Sequence, residues 1–149
     1  MSAPAAAATR RRDAGAVPVE AAMLLPVVLA FVLIVVAAGR VQSTGAVVDA
    51  AARAGARAAS LARSEEGARS AAEDAVRDVL GRRGVQCGSG AQSPVAFGTM
   101  AGPGGDLDTV TVTVRCDVPL RDLLGVDALN GKKTMTGTFT SVVDRYRGD

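Results

Sequence analysis

The chain passes from a polar start through one long apolar run and then into two different periodicities. From Ala21 to Gly39 nineteen residues carry no charge. As a helix rising about 1.5 Å per residue this run covers roughly 28 Å, close to the hydrocarbon thickness of a bilayer. It reads as a membrane span. From Val41 to about Ala62 helical spacing continues, with Val47, Ala51, Ala54, Ala58 and Leu61 along one side and Asp49, Arg53, Arg57 and Ser60 on the others. The spacing predicts that the membrane helix runs on into the aqueous phase. Small residues recur at every fourth position (Ala46, Ala50, Ala54, Ala58, and again Ala51, Gly55, Ala59), a pattern that lets helices approach closely. Alanine-rich helices are also a common product of GC-rich coding, so this face alone is a weak signal.

Ser64 is placed to cap a second helix, with Glu65 and Glu66 in its first turn where the helix dipole favours acids. Ala68, Ala72, Ala75, Val76, Val79 and Leu80 line one side, and Gly81 is the expected stop. After the linker GRRGVQCGSGAQS the period changes to two. SPVAFGTM (93–100) is a short candidate strand and AGPGGD a loop. In DTVTVTVRCDVPL (108–120) Val110, Val112, Val114 and Cys116 alternate with Thr109, Thr111, Thr113 and Arg115, the pattern of a half-buried antiparallel strand. RDLLGVDALNG is expected to form a helical turn, and KKTMTGTFTSVVDRY (132–146) a third strand. The fold class is therefore α+β: a long N-terminal transmembrane helix continuing into a soluble helix, a second helix, then a small antiparallel sheet of about three strands. No internal repeat is visible.

Composition narrows the chemistry. The 149 residues hold room for a membrane segment and one small domain. Apolar residues reach 48%, yet aromatics are 3% and there is no Trp, so any soluble core is thin. A net charge of +2, with arginines interleaved among acids after the span, argues against nucleic acid as a partner. There is no histidine, hence no ready proton shuttle, and neither a G-x-S-x-G elbow nor a phosphate-binding G-x-x-x-x-G-K-[ST] loop. The glycine clusters GRRGVQCGSG and AGPGGD do not sit between a strand and a helix and read as turns. Glu73, Asp74 and Asp78 lie beside Arg69 and Arg77 on a predicted helix, a solvated face in place of a catalytic pair. The sequence predicts no enzyme, no cofactor, no metal site and no small-molecule substrate.

Arg10, Arg11 and Arg12 before the span favour a cytoplasmic N-terminus, although Arg40, Arg53 and Arg57 dilute the asymmetry. The bulk of the chain then lies outside the cytoplasm. There Cys87 and Cys116 meet an oxidising compartment and can pair, closing a loop worth roughly 3 to 4 kcal/mol; the other reading is two separate buried thiols.

Glu20, at the leading edge of the apolar run, demands a reason. A plain anchor would leave it among the headgroups. A secretory signal would be cut after Val36-Ala37-Ala38 and release a chain starting at Gly39, but helical periodicity passes through residue 38 and the run is long for such a signal. The third reading accounts for more of the residues. Arginines, Gly15, AVPV and then Glu20 opening an apolar helix resemble the leader of type IV prepilins, and more specifically the TadE-like minor pilins of tight-adherence (Tad) secretion systems. The resemblance covers roughly residues 10–63: the Gly-x4-Glu spacing, Leu24-Leu25-Pro26, and VVDAAARAGARAA (47–59).

That resemblance implies cleavage between Gly15 and Ala16 by a membrane aspartyl prepilin peptidase on the cytoplasmic side. Ala16 becomes the new N-terminus, and Glu20 pairs with the amine of a neighbouring subunit. Each charge is costly in a low-dielectric phase, so the pairing demands one axial stagger and Glu20 acts as a register device. Gly15 lets the backbone approach the peptidase closely. Ala21 departs from the Glu-Tyr of the related Flp major pilins. Pro18 stands in the first turn, where no donor is lost, and Pro26 is expected to loosen the span. The implied organisation is a leader (1–15), a transmembrane and extended helix (16–63) and a pilin-like extracytoplasmic α+β domain (64–149), crossing the cell membrane once. The implied partners are the membrane, the prepilin peptidase, and other Tad pilins and assembly proteins. The roughly eighty residues after the helix distinguish a minor pilin from the Flp major pilins, which are little more than the helix. The alternative is a membrane-anchored or secreted binding domain unrelated to pili.

Overall fold

The computed structural model describes residues 16–125 and 130–143, with side chains from residue 22 onward. Helix α1 (Ala16–Ser60) is continuous over 45 residues, with Pro26 inside it. Contacts divide the molecule between Gly39 and Arg40. The second unit holds the rest of α1, helix α2 (Glu65–Arg82), strands β1 (Val95–Gly102) and β2 (Gly105–Pro119), the short helix α3 (Leu120–Leu124), and strand β3 (Lys132–Val142). The strands form one antiparallel sheet in the order β1-β2-β3, so the α+β architecture read from the sequence is the observed one.

Local chemistry sets the ends of these elements. The Ser64 hydroxyl accepts the Gly67 N–H at 3.1 Å, with Glu65 and Glu66 in the first turn of α2. The expected stop at Gly81 is displaced. Gly81 lies inside α2, and the chain leaves the helix at Gly84, whose φ of +66° is the left-handed conformation of a helix terminator; the Val85 N–H then bonds the Leu80 carbonyl at 3.0 Å. The loop expected between the first two strands shrinks to Pro103–Gly104, because pairing continues out to Gly102 opposite Gly105. The helical turn expected after residue 120 is α3, and the third strand begins at Lys132 as expected.

On β2, Val110, Val112, Val114, Cys116 and Val118 are buried beneath the helices. From α2 come Ala68, Ala72, Val76 and Leu80, the face the sequence predicts, while Ala75 and Val79 are half-buried. On α1 the buried stripe is rotated from the expected one. Val48, Ala51, Ala52, Ala56 and Ala59 are buried, Ala54 and Ala58 are half-buried, and Leu61 is exposed beyond the helix end. The cause is that this part of α1 packs on two neighbours at once, α2 and the sheet. Gly55 marks the junction: a Cβ there would meet Val76 Cγ2 at 2.9 Å, Val112 Cγ1 at 3.3 Å and the Ala72 carbonyl oxygen at 3.4 Å. Gly137 plays the same part on β3, where a Cβ would lie 2.8 Å from Asp49 Oδ1 and 2.9 Å from the Val48 carbonyl oxygen.

Candidate membrane and assembly interface

In the first unit every large apolar side chain from Met23 to Val36 is 48–72% exposed. A surface that apolar is unfavourable in water, and α1 is long and apolar enough to cross a membrane. Between its terminal turns its backbone groups can bond within the helix, the Ala22 carbonyl opposite Pro26 excepted, as a spanning segment requires. Pro26 lacks one donor, yet the helix continues through it.

The predicted cleavage pair straddles the start of the described residues. Gly15 lies outside them, Ala16 is the first residue of α1, and Glu20 follows one helical turn later, its side chain outside those described.

Cys87 and Cys116 are brought together as a disulfide, with sulfurs 2.03 Å apart and Cα atoms 5.1 Å apart across 29 positions of sequence. The bond ties the segment after α2 to the sheet's central strand. Beside it is a cleft of about 490 Å³ lined by residues that include Glu73, Arg77, Leu80, Gln92 and Ser93. Among the described residues no three His, Cys, Asp or Glu side chains come together in a way that suits a metal ion.

The outer face of the sheet is a threonine ladder. Thr111 and Thr140 share a hydroxyl hydrogen bond at 2.8 Å, and the Thr138 hydroxyl donates to Thr113 at 3.2 Å. At its end Asp117 accepts from Lys132 Nζ at 2.7 Å and from the Thr134 hydroxyl. These two bonds, the lysine's first, hold the Asp117 carboxyl below its ordinary range. Sequence reasoning missed this cluster because its members meet only through the β2–β3 register. Two rings carry guanidinium groups over their faces, Arg53 above Phe139 at 6.0 Å and Arg69 above Phe97 at 5.7 Å. The sequence assigned Glu73, Asp74 and Asp78 to a solvated face, and Asp74 and Asp78 there form exposed ion pairs with Arg77 and Arg82.

One exposed apolar helix at the N-terminal side of a small disulfide-closed α+β unit is the form of a membrane-anchored protein. Residues 15–57 match the family described as TadE-like protein, so the segment that contains the apolar helix and its aqueous continuation is TadE-like. No curated protein and no solved structure matches the chain.

Proposed function

We propose that the protein is a minor pilin or pseudopilin taking part in assembly or initiation of a Tad (Flp-type) pilus. The observation that carries this reading is the TadE-like match, which begins at the glycine expected before the cleavage site and runs to Arg57. The exposed apolar surface of α1 supports it, since that surface needs lipid or the helices of other subunits around it. In this reading residues 1–15 are a leader on the cytoplasmic side, removed by a prepilin peptidase between Gly15 and Ala16. Helix α1 anchors the mature chain, and residues 64–149 stand outside the cytoplasm, where Cys87 and Cys116 stay oxidised.

The mechanism is structural. Removing the leader frees an α-amine at Ala16 one helical turn before Glu20. Buried among packed helices, neither charge is tolerable alone, whereas the amine of one subunit beside the carboxylate of the next offsets both desolvation costs. Only one axial offset between adjacent helices achieves this, so charge pairing sets the stagger and the apolar side chains supply the attraction.

Mass spectrometry of the membrane-purified chain, co-expressed with and without a prepilin peptidase, tests the assignment. A chain starting at Ala16 only when the peptidase is present supports it. A start at Gly39 identifies a secretory signal, and a retained leader identifies a plain anchor; either one refutes it. Gly15→Leu should give a full-length precursor that stays in the membrane, and normal maturation of that variant counts against the peptidase.

A further inference from the structure

We propose that the end of the second unit carrying Arg40 is a docking surface for acidic phospholipid headgroups. Five separate segments converge there. Arg40 is the first residue after the uncharged run, and its guanidinium lies 3.0 Å from where a Cβ on Gly125 would be, which brings the end of α3 to the start of this part of α1. Ser43, Thr44 and Val47 share a recess with Arg83, Val118, Asp122 and Leu123, so the end of α2 and the end of β2 are there too. The register places Val118 opposite Lys133 and Pro119 opposite Lys132, adding the start of β3 and both lysines of the chain.

The charge balance of this end is basic. It carries Arg40, Arg82, Arg83, Arg121, Lys132 and Lys133 against Asp78, Asp117 and Asp122 among the described residues. The three acids are used internally: Asp78 by Arg82 at 2.6 Å, Asp117 by Lys132 at 2.7 Å, and Asp122 by its neighbour Arg121 at 3.6 Å. Arg83 and Lys133 are exposed and have no ion-pair partner among the described residues. At the opposite end of the unit the balance among the described residues reverses, with Glu65, Glu66, Asp106 and Asp108 against Arg57, Arg63 and Arg69. The recess of Ala59, Ala62, Phe97 and Asp108 brings those segments together. The unit is thus polarised along its own part of α1 (40–60), positive at the end that carries Arg40. Long basic side chains next to a span reach phosphate groups readily and gain from an anionic surface, an attraction that decays within a Debye length. The surface rests on the reading of α1 as a membrane span.

The test uses the full chain in nanodiscs of phosphatidylcholine alone or mixed with phosphatidylglycerol, read by hydrogen–deuterium exchange. Amides at 82–86 and 130–134 should exchange about fivefold more slowly over the anionic lipid. That difference should vanish in roughly 0.5 M salt, where the Debye length falls to a few ångströms. The double variant Arg83→Glu/Lys133→Glu should abolish it while amides at 110–116 keep their wild-type protection, which shows an intact fold. If the charge reversal unfolds the unit, Arg83→Gln/Lys133→Gln should reduce the difference at least by half. Equal exchange over the two lipids, or a difference that survives salt or both variants, overturns the docking surface. Extraction of the chain from vesicles by alkaline carbonate would overturn the span reading instead, a separable failure.

Discussion

Two glycines ten positions apart in the aqueous part of α1 provide a matched measurement of how tightly the helices and sheet are packed. At Gly45 a Cβ would meet nothing within 4 Å, whereas at Gly55 it would press on Val76 Cγ2 at 2.9 Å and Val112 Cγ1 at 3.3 Å. Both valines are buried, at 1% and 0% exposure, and their branched side chains have few other rotamers to adopt. Alanine in a helix interior is favoured over glycine by about 1 kcal/mol, so Gly45→Ala should stabilise the chain by roughly 0.5 to 1 kcal/mol. Gly55→Ala gains the same helix preference but meets an overpacking cost of about 1 to 3 kcal/mol, leaving it between neutral and about 2 kcal/mol destabilised. The contrast between the two variants is therefore about 1 to 3 kcal/mol in favour of Gly45→Ala. Thermal unfolding of the full chain in detergent, followed by circular dichroism, should show midpoints separated by roughly 4 to 12 °C. A Gly55→Ala variant as stable as Gly45→Ala would refute the claim that α1, α2 and β2 meet at backbone distance.

The Cys87–Cys116 loop of 29 positions predicts that reduction costs about 3.5 kcal/mol, measured as a fall in the unfolding midpoint with dithiothreitol. Asp117 has a folded pKa lowered by Lys132 and Thr134, so its contribution is complete above the ordinary value of 3.8 and is lost as pH falls through the lower folded value. Asp117→Asn should accordingly be less stable than wild type near neutrality and lose less stability in acid titrations as the pH falls below the ordinary carboxylate value. Glu20→Ala should insert and mature normally yet lose association with other pilins, and unchanged co-purification of those partners would sink the stagger role of this carboxylate.

Legibility of the fold depended on how distinctive each residue was. The alternation of Val110, Val112, Val114 and Cys116 with threonines left one choice of buried face, and Ser64-Glu65-Glu66 marked a helix start with three separate signals. In α1 nearly every aqueous-side residue is small, so several stripes have the same apolar content. The one that is buried is chosen by two packing partners that no local pattern reveals. Gly81 and Gly84 are both plausible helix terminators by composition, and only the hydrogen bonds distinguish them. Pairing of Cys87 with Cys116 required β2 to lie beside the segment after α2, a matter of topology. The Asp117–Lys132 contact and the basic end likewise assemble from residues remote in sequence.

Threonines and apolar residues alternate along both β2 and β3, so sliding one strand past the other by two residues would leave each set on its own face. The connection from Leu120 to Gly131 is too long to dictate the offset as a tight turn does. Two singular residues break this degeneracy. A slide in either direction would bring Met135 or Phe139 under the Val48 carbonyl in place of Gly137, and the slide that brings Phe139 there would also carry Lys132 two residues further from Asp117. The correct offset is written in one missing side chain and one charged pair, so replacements at Gly137 should yield misaligned, aggregation-prone conformers sooner than a uniformly weakened native state.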